Sequence, residues 1–212
     1  MIAEILLVSF IGGLLSLDVS AWGQIMVSRP IISGPIIGLL LGDLKTGLII
    51  GVLLELIWIN VISVGAAIPP NATIVAVTCL ALIILTERTL PVGNNFQGSY
   101  RMVVLALTMP LGEIFKRIDI KQRKLNARFV HYLDREIIKG NLKAVERVNY
   151  FSLFLFFLKG LLFSLVAISV GLYILPKLFS YLPFAILVGL NFAYRLLPAL
   201  GLAIAFNTFR GL

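Results

Sequence analysis

Between Arg29 and Ala72 the chain reads RPIISGPIIGLLLGDLKTGLIIGVLLELIWINVISVGAAIPPNA. The stretch is almost wholly apolar, yet it carries Asp43, Lys45 and Glu55 and is broken by glycines and by Pro69–Pro70. Glu55 follows Lys45 by ten residues, about 15 Å along a helix. That depth is near the middle of a bilayer roughly 30 Å thick. A carboxylate placed there is costly, and its default meaning is a solute or ion site.

The rest of the composition agrees with a lipid solvent. Of 212 residues, 59% are hydrophobic and 13% charged, and the mean hydropathy is +1.02. A soluble domain carries about twice that charged share. The alternation of a transmembrane barrel is absent, so the expected fold is an all-α polytopic membrane protein. The first apolar run holds Glu4 and no preceding Lys or Arg, unlike a secretory signal, and is expected to be retained. Cys79, the single cysteine, lies within an apolar run and reads as a small core residue. The net charge is +8, and between Lys116 and Arg147 ten Lys and Arg face four acids, so +6 lies there. In so apolar a chain this run marks the cytoplasmic side rather than a nucleic-acid surface.

Several segments are too short or too broken for a simple bundle. Residues 5–28 form one apolar segment, interrupted by Asp18 and Gln24. Residues 31–42 reach only about 18 Å as helix, which suggests a re-entrant or broken helix with its break at Gly34–Pro35. Residues 46–64 are long enough to span, with Glu55 midway. GAAIPPNA (65–72) cannot be regular helix, because proline lacks the donor and restrains the residue before it. Non-helical backbone at that depth survives only inside protein or beside a water-filled cavity. Leu125, Phe129, Leu133 and Ile137 recur every four residues, predicting a basic amphipathic helix at the interface. Gly140 is expected at its C′ position and Asn141 at the next N-cap. The expected organisation is a membrane region over 1–115, a basic linker over 116–149 and a second membrane region over 150–212. Such short, Gly- and Pro-interrupted segments point to a transporter's binding site.

The pieces Arg29–Pro30, GDLKTG (42–47), Leu54–Glu55, Gly65-Ala66-Ala67 and Pro70–Asn71 together resemble the IIC subunit of the mannose/fructose/sorbose class of the bacterial sugar phosphotransferase system. HYLDREIIKGNLKAVERVNYFSLFLFFLK (131–159) and LPALGLAIAF (197–206) resemble later family segments. The resemblance implies a sugar-translocating subunit in the bacterial inner membrane, oligomeric and paired with a IID membrane subunit. Cytoplasmic IIA and IIB phosphocarriers would phosphorylate the sugar, with no cofactor, metal or covalent chemistry on this chain. His131, the only histidine, reads as a surface residue of the linker. The chain departs from the family pattern at Ser63, where Asn is common, at Asn71, where Asp is frequent, and in stopping at Leu212.

Five residues are the expected sugar contacts. Glu55 either accepts sugar hydroxyls or pairs with Lys159 or Lys45. Asn71 either binds a hydroxyl or caps the helix starting near Ala72. Asn60 and Ser63 lie near the same break. Gln24 either contacts sugar or makes an interhelical hydrogen bond. Asp43 and Lys45 read as a surface turn, and Trp22 and Trp58 as packing rather than stacking groups. Two other functions compete with the permease. The departures at Ser63, Asn71 and the C-terminal end suit a non-transporting scaffold or regulatory relative. A membrane enzyme using Glu55 as base lacks a visible second catalytic group, and no triad or metal-ligand spacing appears.

Overall fold

The computed structural model describes residues 1–18, 21–61, 68–89 and 96–210; Ser63 lies outside them. Seven α-helices account for the regular structure there: α1 (Ile2–Asp18), α2 (Pro30–Leu40), α3 (Leu44–Trp58), α4 (Ala72–Thr89), α5 (Gln97–Ile138), α6 (Lys143–Ser180) and α7 (Phe184–Arg210). No strand occurs among the described residues. The all-helical membrane fold anticipated from composition is what forms, and α4, α6 and α7 are long and apolar enough to cross a bilayer.

α4 is the axis of the bundle. Its residues from Thr73 to Thr86 are all buried, because it is apolar or small on every side and so needs neighbours on every side. It packs against α1, α2, α3, α5 and α6. Cys79 sits in its middle, fully buried.

α2 and α3 form a short hairpin. Pro30 opens α2 at a position whose N–H is not needed. Gly42, at φ +72°, turns the chain, and the Asp43 carboxylate accepts the Thr46 N–H at 3.0 Å to cap α3. The limbs meet on glycine: a Cβ on Gly47 would stand 2.7 Å from the Gly34 carbonyl oxygen. Their 11 and 15 residues reach only about 16 and 22 Å, short of a bilayer.

Three local expectations are corrected. Residues 5–28 are not one segment: α1 stops at Asp18, whose carboxylate accepts the N–H groups of Ile25 (2.8 Å) and Ser28 (3.0 Å) and so folds a turn instead. α2 runs through Gly34–Pro35 without a break. α3 ends at Trp58, so Glu55 lies in its last turn and not midway along a span.

The basic region joins two long helices. α5 (42 residues) and α6 (38 residues) pack as an antiparallel hairpin, and the amphipathic segment is the second half of α5. Gly140, at φ +77°, takes the C′ position. The N-cap of α6 is Leu142 rather than Asn141, because the Asn141 amide donates to Glu136 instead, at 2.8 Å.

α5 also serves as a ruler. Arg101, near its start, forms a paired hydrogen bond to Glu87 at 2.7 and 2.9 Å. Gly112, eleven residues on and about 16 Å deeper, accepts the Asn71 N–H at 3.1 Å. Asp119, eighteen residues from Arg101 or about 27 Å, pairs with Lys159. Two charged layers thus bracket a layer close to hydrocarbon thickness.

Candidate functional site

Glu55 and Asn71 occupy the middle of that layer. Thr46 lies within 3.4 Å of Arg101, and Glu55 is nine residues further along α3, about 13 Å. Asn71 is level with Gly112 through its backbone hydrogen bond. α2, α3 and α4 pack on one another, so the hairpin that carries Glu55 lies against the helix that Asn71 begins.

The partner of Glu55 is Arg29, at 3.4 Å, and neither Lys45 nor Lys159. Its other carboxylate oxygen accepts the Ile31 N–H, also at 3.4 Å. Both contacts are long, and the Glu55 and Arg29 side chains remain 17% and 32% exposed. A carboxylate has about four acceptor sites, so Glu55 retains capacity for hydroxyl donors. Arg29 was missed as a site residue, although the hairpin pattern points to it. The glycine contacts join 34 with 51 and 38 with 47, and the same register sets residues 29–30 opposite 55.

Asn71 is buried and caps α4, its side-chain oxygen accepting the Ile74 N–H at 3.0 Å. The capping role weighed from sequence is therefore filled. No hydrogen bond of its amide nitrogen is seen among the described residues. Gln24 stands exposed in the turn after α1, at φ +51°, and forms no interhelical bond there. Asn60 is exposed just past the end of α3. No hydrogen bond joins Glu55, Asn71, Gln24 and Asn60 to one another. Trp58 is buried as a packing group and Trp22 is 70% exposed.

The second acid–base pair has a different character. Lys159 and Asp119 are only 10% and 7% exposed, with the ammonium 4.8 Å from the Phe115 ring centre and 4.4 Å from that of Phe156. Aromatic walls and a direct pair leave this centre closed to a solute. Among the described residues no group of three His, Cys, Asp or Glu is placed to hold a metal ion.

Comparison with known proteins agrees with this architecture. Residues 2–210 match the family described as the sorbose-specific IIC component of the PTS system. The mannose-specific EIIC component of Escherichia coli K12 is 30% identical over 183 residues, covering 86% of this chain and 65% of that protein. The sorbose-specific EIIC component of Lacticaseibacillus casei is 27% identical over 189 residues, covering 89% of this chain and 64% of that one. The chain thus spans just under two thirds of the length of these relatives. Among solved structures, a chain of the mannose transporter ManYZ in complex with microcin E492 superposes with a TM-score of 0.66 and 28% identity, over 99% of this chain and 79% of that one. The short glycine-packed hairpin, the buried α4 and the family match over nearly the whole sequence lead to one conclusion: this chain belongs to the sorbose-specific IIC component family of the phosphotransferase system.

Proposed function

We propose that this chain is the permease subunit of a phosphoenolpyruvate-dependent sugar phosphotransferase system in the bacterial inner membrane. It moves a hexose or related sugar across the bilayer, and a cytoplasmic IIA/IIB phosphocarrier phosphorylates the sugar on delivery. A IID membrane subunit completes the translocation unit, and the chain itself performs no covalent step. The observation that carries this function is Glu55, which among the described residues has two long contacts, in a hairpin packed beside the helix that Asn71 begins.

The roles divide by chemistry. Glu55 accepts hydrogen bonds from two sugar hydroxyls, and Arg29 orients its carboxylate. The amide nitrogen of Asn71 donates to a sugar oxygen. Gln24, Asn60 and Ser63 contact the sugar as it enters or leaves. Short re-entrant helices suit alternating access, since their polar ends meet the solute inside the membrane.

The test is sugar binding and uptake in membranes holding this chain with its partner subunit. Glu55→Gln removes the charge-assisted bonds and is expected to weaken binding about 10- to 100-fold, with insertion and subunit association intact. Unchanged sugar affinity in a correctly assembled Glu55→Gln complex would remove Glu55 from the site.

A further inference from the structure

The charged layer around Arg101 is unevenly paired. Arg101 itself binds Glu87, and Arg88 binds Glu4, each at 2.7 Å. Lys177 reaches the same layer on α6, since Phe179 packs on Tyr100, and its ammonium sits 3.7 Å from the Tyr173 ring centre. The nearby acid Asp43 caps α3. Lys45 and Arg195 differ: both are exposed, and neither has an ion pair or hydrogen bond among the described residues. Each is placed at this layer by its neighbour in the chain. Thr46 lies 3.4 Å from the Arg101 guanidinium, and the Tyr194 side chain hydrogen-bonds the same group.

From these two cations a groove of about 450 Å³ runs inward between α3 and α7. Leu48, Val52 and Leu56 form its α3 wall, and Tyr194, Arg195 and Pro198 its α7 wall. Lys45 stands within about 60° of Leu48, Val52 and Leu56 around α3, so it heads the same stripe. From Lys45 to Leu56 is eleven residues, about 16 Å, or half of a hydrocarbon layer roughly 30 Å thick. The inner end is closed, because a Cβ on Gly201 would stand 2.7 Å from the Leu56 Cβ.

We infer that this groove holds one anionic phospholipid, its phosphate between Lys45 and Arg195 and an acyl chain lying along α3 and α7 as far as Leu56. Two observations favour a lipid over a helix of another protein. The groove has the depth of a single leaflet and closes at Leu56, whereas a spanning helix would continue past it. Its surface end carries two cations without acids, which suit a headgroup phosphate, while the rest of its wall is apolar and suits a chain. The inference rests on the membrane fold and is independent of the sugar site.

The test is native mass spectrometry of the full chain, titrated in detergent with phosphatidylglycerol or with phosphatidylcholine. One phosphatidylglycerol is expected to stay bound under conditions that strip phosphatidylcholine. Lys45→Gln/Arg195→Gln should weaken that lipid roughly 10- to 100-fold. Lys177→Gln alters a cation of the same layer on α6, which packs on neither α3 nor α7, and should leave binding unchanged. Val52→Trp fills the groove and keeps both charges, from a residue already 41% exposed. It should displace the lipid, and it decides the matter if the double variant fails to fold. Equal retention of the two lipids overturns the inference, as does an equal loss in Lys177→Gln. So does retention that vanishes when the chain assembles with its partner subunit or forms a dimer, which would assign the groove to protein.

Discussion

The α2–α3 and α5–α6 hairpins each set an acid opposite a base, but they use the pair differently. In the short hairpin the limbs touch through glycine backbone, and Glu55 and Arg29 are left half-buried with contacts of 3.4 Å. In the long one Asp119 and Lys159 are sealed by Phe115 and Phe156. Helices of 11 and 15 residues cannot cross the bilayer and must present polar termini within it, which a solute can then satisfy. Helices of 42 and 38 residues are longer than a bilayer is thick, and the pair they bury is walled by aromatic rings. Intramembrane charge alone does not separate the more exposed Glu55–Arg29 pair from the sealed Asp119–Lys159 pair; the helices that carry the two pairs also differ in length.

The largest test of this contrast is Asp119→Ala. It strands the Lys159 charge and should cost about 3–5 kcal/mol, seen as a lost or sharply lowered thermal transition in detergent. Asp119→Leu/Lys159→Met should recover most of that loss. Glu55→Ala should cost only about 1 kcal/mol, and an equal loss at both sites would break the comparison. Next in size, Gly47→Ala forces a methyl to 2.7 Å from the Gly34 carbonyl and should destabilise by about 1–3 kcal/mol. Gly189→Ala in α7, where nothing lies within 4 Å, should leave the transition in place. Asn71→Ala removes the α4 cap and should cost about 1 kcal/mol while weakening sugar binding, as calorimetric titration of the assembled complex would show.

The smallest effect is at the hairpin tip. Hydrogen bonds from Lys139 and then Asn141 hold the Glu136 carboxyl below the ordinary glutamate range. A depressed folded value means that its contribution is complete above the unfolded pKa, about 4.3, and is lost as pH falls through the lower folded value. A carboxyl carbon resonance titration should place the Glu136 midpoint below that ordinary value, and Lys139→Gln should move it back up.

Much of this was legible in the residues. Low charge and continuous apolar runs required lipid-facing helices. The twelve apolar residues 31–42 required a non-spanning segment, and Glu55 and Asn71 stood out as polar groups where none is needed. The pairing of Glu55 was not legible from depth alone, because Lys45, Lys159 and Arg29 are all basic residues within or beside apolar runs. Asp18 was read as an interruption of one long segment, since its capture of two backbone N–H groups depends on the turn it creates.

The sequence by itself therefore determined the solvent, the helical class and the family, because burial free energy and hydrogen-bond satisfaction are properties of local composition. Only the tertiary structure decided which charge meets which, that α4 is enclosed while α7 is almost bare, and that one ion pair is open and the other sealed. Those outcomes depend on hairpin register and on which faces touch, and both are set by packing between segments distant along the chain.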